Sequence, residues 1–171
     1  LSRDSLTARL AQERKVSDPD QATPEATLAA FGRAMAAQEW HRALALLSRR
    51  ARRALVGSAW AEAAWMGEHD EVSRRALAAL MERHGLLSES HVSEHSTDEL
   101  VRMLADLHAW RHESRSRASQ PGLADNFART KYTQIVCSGE RAHAEASLGD
   151  RSSITRLRRH EGNWYILASG E

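Results

Sequence analysis

The string His91-Val92-Ser93-Glu94-His95 has the spacing with which one helical turn offers two imidazoles to zinc and a carboxylate to the metal-bound water. Its surroundings argue against that chemistry. Ser88, Ser90, Ser93 and Ser96 crowd the string and no apolar stripe supports it, so it reads as a solvated loop without a metal. His108 and His112 stand one turn apart around Trp110 at the end of a helical pattern, where imidazolium complements the negative pole of the helix. Cys137 and His143 fall on the two arms of a hairpin, as a thiol nucleophile and its base would. Nothing beside them supplies cationic surroundings or oxyanion donors, and the thiol reads as a small buried hydrophobe.

Proton transfer has four candidate side chains near the C-terminus, Tyr132, His143, Glu145 and Tyr165, of which His143 and Tyr165 are the candidate catalytic acid or base. His143 and Glu145 alternate with Ala142, Ala144 and Ala146, which puts them on the polar face of their strand. Among the aromatics, Trp60, Trp65, Tyr132 and Trp164 are candidate walls of a ligand pocket, with core packing as the ordinary use of such rings. The run Arg49-Arg50-Ala51-Arg52-Arg53, with Trp60 and Trp65 nearby, has the residue types that hold phosphates and stack on bases. The 24 basic and 23 acidic residues, however, balance to a formal charge of +1. The run is therefore read as a solvated helix face, and no nucleic-acid partner is expected. Phosphate-binding glycine loops, serine nucleophile elbows and paired strand-end carboxylates are missing, so no cofactor is expected either.

The elements that must position these residues change period along the chain. Thr23 caps a helix with Pro24 at its first position, and Leu28, Phe31 and Met35 form its apolar face. A second helix follows from Trp40, with Leu44, Leu47, Ala51 and Leu55 inward and Arg42, Arg49 and Arg53 outward, closed by Gly57-Ser58. A short third carries Trp60, Ala64 and Trp65, a fourth starts at Asp70 and stops at Gly85, and Ser96-Thr97-Asp98-Glu99 forms a capping box for a fifth. Residues 111–126, rich in Ser, Arg and Gly, read as a mobile connection. Alternating segments at 130–137, 141–148, 152–160 and 163–169, joined by tight turns, read as antiparallel strands. The fold class is α+β: N-terminal helices packed on a C-terminal curved antiparallel sheet of about four strands. Residues 1–22 are assigned to a flexible tail and 23–171 to a single domain.

Hydrophobic residues at 42% of a 171-residue chain suffice for one core without disulfides or metals, and Cys137 has no partner cysteine. No membrane span is present, since no segment holds the roughly 18 to 20 apolar residues that one needs. The scarcity of lysine beside abundant Arg and Ala fits the coding bias of a GC-rich bacterial genome. The chain begins at Leu1, which leaves open a cytoplasmic protein or one exported after loss of a leader.

The opening Thr23-Pro-Glu-Ala-Thr-Leu-Ala-Ala-Phe31, the following Gln38-Glu-Trp-His-Arg-Ala-Leu-Ala-Leu-Leu-Ser48 and the closing Arg158-Arg-His-Glu-Gly-Asn-Trp164-Tyr165-Ile166 together resemble bacterial domains of the nuclear-transport-factor-like, or cystatin-like, cone fold. The resemblance covers roughly 26 residues at the front and 40 at the back. It implies a sheet wrapped around a helix to leave a pocket, in a group that ranges from isomerases and dehydratases to inert binding or assembly domains. Residues 66–110 depart from it by reading as two extra helices, which could fill the pocket's mouth. With no convergent acid–base set, the expected function is a non-catalytic binding or assembly module for a small hydrophobic ligand or a protein partner. The alternative is an isomerase or dehydratase acting inside the cone. A homodimer is left open.

Overall fold

The computed structural model describes residues 18–86, 92 and 95–171. Helices α1 (Pro24–Ala37), α2 (Trp40–Ala45), α3 (Arg49–Met66), α4 (Glu71–Arg83), α5 (Thr97–His112), α6 (Arg115–Ala118) and α7 (Leu123–Arg129) precede strands β1 (Lys131–Ser138), β2 (Arg141–Leu148), β3 (Arg151–His160) and β4 (Asn163–Ile166). The strands pair antiparallel in chain order to form a sheet that is not closed, so the fold is α+β as the change of period requires. Among the described residues no helix is long and apolar enough to cross a membrane.

The helix starts follow their caps. Thr23 Oγ1 accepts from the Ala26 amide at 3.1 Å, and Asp70 Oδ1 accepts from Val72 at 3.1 Å. Ser96 and Glu99 close the capping box from both sides, at 3.3 and 2.8 Å. Hairpin turns at Gly139 and Gly149 take positive φ, the left-handed conformation that glycine adopts without a Cβ penalty.

The predicted second helix breaks earlier than its stripe of leucines implies. Leu46, Leu47 and Ser48 leave the helical path to run beside β4, where Ser48 N donates to Ile166 O at 2.8 Å and Ile166 N donates to Leu46 O at 3.0 Å. Those bonds cover the open edge of β4. Ser48 then caps α3, its hydroxyl accepting from Ala51 at 3.1 Å. Gly57 and Ser58, expected to end a helix, lie inside α3. A mid-helix glycine costs about 1 kcal/mol, which is less than the burial of its helix neighbours Leu55, Val56 and Trp60 returns.

Two other expectations need correction. Of the predicted tail, residues 1–17 lie outside the described residues, but Asp18 to Gln21 pack on the domain. Asp18 and Asp20 both receive the Arg42 guanidinium, and Asp18 N donates to Asn163 Oδ1 at 3.2 Å. Arg42 is thus an anchor and not a solvated charge, and it holds the Asp18 carboxyl below its usual range, chiefly through its hydrogen bond. Residues 111–126 hold α6 and the start of α7 and are not a loose connection. Buried Arg117 stacks on the Trp110 ring at 4.3 Å, donates twice to Trp110 O at 3.1 and 2.7 Å and reaches the Ser73 hydroxyl.

Candidate functional site

Side-chain size along the inner sheet face decides where space remains. The register sets Ala142, Leu157 and Ile166 in one cross-strand row, Ala144 and Thr155 in the next, and Tyr132, Ala146 and Ser153 in the last. At the first end Leu157, Trp164 and Ile166 are bulky and buried, in the same core as Phe31 and Met35 of α1. At the other end small side chains fail to fill the gap to the helices. The facing turns of α3 are also small, with Ala51, Ala54 and Ser58 at i, i+3 and i+7. The result is an open hollow of about 440 Å³ between α3, α7 and the sheet.

Three aromatic side chains frame it. Phe127 of α7 meets Phe31 of α1 edge to face, with ring centroids 5.1 Å apart, and so fixes α7 as one wall. Tyr132 enters from β1. An extra residue between Thr133 and Val136 bulges that strand, with Gln134 at φ 50°, which returns both Tyr132 and Ile135 to the partly buried inner side. Burial pushes the Tyr132 hydroxyl up to about 12, so it remains a protonated hydrogen-bond donor at neutral pH. Its hydroxyl makes no hydrogen bond with another described residue. Ser58, Ser153 and Thr155 also line the hollow, and Leu55 and Ile166 supply apolar floor. Its described lining contains the titratable groups Tyr132 and Arg156 but no carboxylate, imidazole or thiol.

The candidate residues are dispersed relative to this hollow. Tyr132 lines it. Trp60 is fully buried in the helical core with its ring Nε1 unpartnered, and Trp164 is buried beside the sheet; neither reaches the lining. Trp65 is 64% exposed near the C-terminal end of α3, two turns beyond Ser58 and outside the lining. His143 is exposed on the outer sheet face, and Tyr165 sits on that same face opposite Arg158, so neither faces the hollow. Cys137 pairs with Ala142 while Val136 pairs with His143, which aims thiol and imidazole at opposite faces of the sheet. The thiol is exposed and not buried as expected.

Of the zinc-like string, His91 and Glu94 lie outside the described residues, while His95 Nε2 contacts His84 O at 3.3 Å. Among the described residues no three His, Cys, Asp or Glu side chains are placed to hold a metal. His108 is half-buried against Trp40 and His112, and burial lowers its pKa, followed by the charges of His112 and Arg111. That shift works against the imidazolium form expected of His108 as a helix cap. Arg52 of the basic run is drawn into the fold, donating to Leu47 O at 3.1 Å and to Thr97 Oγ1 at 3.2 Å.

A polar cluster holds α7 in place behind the hollow. Leu123 N donates to Glu62 Oε1 at 3.1 Å, and Gly122 N and Arg111 Nη1 both donate to Asp125 Oδ2, at 3.0 and 3.1 Å. A Cβ at Gly122 would stand 2.1 Å from Arg111 Nη1, so a larger residue here would displace that guanidinium from Asp125. Neither Glu62 nor Arg111 is marked by a sequence motif. No family model, curated protein or solved structure matches this chain.

Proposed function

We propose that the chain is a non-catalytic binding module of the nuclear-transport-factor-like kind, taking a small apolar ligand between the inner sheet face and helices α3 and α7. The supporting observation is the hollow of about 440 Å³, a size within the range of roughly 300 to 1,000 Å³ usual for small-molecule sites. Its walls are mostly apolar, and its hydroxyls at Tyr132, Ser58 and Thr155 can orient a ligand without exchanging protons with it at neutral pH. An isomerase or dehydratase needs an acid and a base within reach of one substrate. Burial keeps the Tyr132 hydroxyl protonated, and no carboxylate or imidazole among the described lining residues offers a base. The extra helices do not close the mouth, because Ala54 and Ser58 of α3 remain exposed.

Calorimetric titration with decanol tests this reading. Wild type binds it, and Ala54→Trp, which fills the mouth from an exposed helix position, loses binding at least tenfold while keeping the wild-type melting temperature. Equal binding by both proteins, or by neither, would refute it.

A further inference from the structure

The hollow does not end at Phe127. A second hollow of about 380 Å³ shares Leu123, Phe127 and Ser153 with the first, so the two adjoin as one groove along the inner sheet face. Its chemistry changes along its length. The first hollow is floored by Leu55, Phe31 and Ile166, whereas the second ends among Asn126, Thr130, Ser152 and Arg151.

Arg151 belongs to the inner face by register. It pairs with Leu148 across the hairpin and precedes Ser153 and Thr155 by two and four residues, the spacing that places side chains on one face of a strand. Its guanidinium makes no ion pair or hydrogen bond with another described residue. The distance from Arg151 to Ser153 along β3 is about 7 Å at roughly 3.3 Å per residue, so a cation stands one short step from the shared wall of the two hollows. A groove that is apolar at one end and carries an unpaired guanidinium at the other is complementary to a molecule with an alkyl body and an anionic head.

We infer that the ligand is an anionic amphiphile, a medium-chain carboxylate whose alkyl chain lies in the hollow beside Tyr132 and whose head group pairs with Arg151. This inference rests on the binding reading above and adds to it the class of ligand. Arg151 contributes a bidentate donor fork, and Ser153, two residues on along the same strand face, is the neighbouring hydroxyl at that end. The open position of that end leaves the charged head in contact with water, which avoids the cost of burying it.

The test compares decanoate with decanol, which share their chain and differ at the head, in calorimetric titrations at pH 8 and low salt. Wild type binds decanoate about tenfold more tightly than decanol. Arg151→Gln removes that preference and leaves decanol affinity within twofold, and raising the salt concentration narrows the wild-type preference. If decanol binds but decanoate gains nothing, or if the preference survives Arg151→Gln, the assignment of the head group is wrong while the apolar site stands. If neither compound binds, the site itself is refuted, and this inference falls with it.

Discussion

Gln21 donates from its side-chain Nε2 to the backbone carbonyl of Trp164 across 2.8 Å in the buried interior. The bond joins the segment before α1 to the last strand of the sheet, 143 residues away. β4 is therefore held on both sides of its short span, by Gln21 at Trp164 and by Leu46 and Ser48 at Ile166.

Gln21→Ala is expected to destabilise the domain by about 1 to 3 kcal/mol, because the buried Trp164 carbonyl loses its side-chain donor. Urea unfolding measures this directly. A midpoint unchanged from wild type would mean that the segment 18–22 does not belong to the folded unit.

Trp164 anchors the bulky end of the sheet face, 5% exposed in the core that includes Phe31 and Met35. Truncating a buried aromatic costs about 3 to 5 kcal/mol, a large part of the roughly 5 to 15 kcal/mol a domain has. Trp164→Ala should thus be near unfolding at ambient temperature, with Trp164→Phe tolerated. A Trp164→Ala midpoint close to wild type would take this ring out of the core.

Much of this framework was legible in the sequence because it depends on neighbours in the chain. The caps at Thr23, Asp70 and Ser96, the alternation of Ala142, Ala144 and Ala146, and the hairpin glycines act within a few residues. The break at Leu46 to Ser48 was not legible, since its cause is pairing with Ile166 far away in the chain. Nor were the buried guanidiniums of Arg111 and Arg117, whose composition suggests solvent until Asp125, Trp110 and Ser73 are seen around them. The hollow left one sequence signal: small residues at both Ala144, Ala146, Ser153 and Thr155 on the strands and Ala51, Ala54 and Ser58 on the helix. Recognising it requires knowing that α3 faces those strands.

Glu62 gives the fold a pH dependence with a defined sign. Burial raises its carboxyl pKa, against the opposing effects of the Leu123 amide and the charge of Arg111. The folded state then keeps a proton that the unfolded chain has lost. Its stabilising contribution is complete below the unfolded value of about 4.3 and is lost as pH rises through the raised folded value. Glu62→Gln keeps an oxygen to accept from Leu123 and removes the titration, so its melting temperature relative to wild type should increase between pH 4 and pH 7. A constant difference across that range would show that Glu62 does not titrate abnormally.

On the outer sheet face Arg141 lies directly opposite Arg158, and neither has an ion-pair partner among the described residues. Like charges in directly opposed positions cost about 0.2 to 1 kcal/mol. Arg141→Glu should therefore stabilise the domain by an amount of that order, with the gain shrinking at high salt as the charges are screened. Denaturant midpoints at low and high salt check both parts, and a destabilised variant would contradict the account.

The central claim is that the inner groove is a ligand site, and chemical-shift mapping tests it most directly. In a titration of decanol into isotopically labelled protein, the amides of Ala51, Ser58, Tyr132, Thr155 and Ala168 should shift together and saturate along one binding curve. Val136, His143 and Tyr165 on the outer face should stay in place. Shifts confined to the outer face, or none up to the solubility limit of decanol, would contradict it.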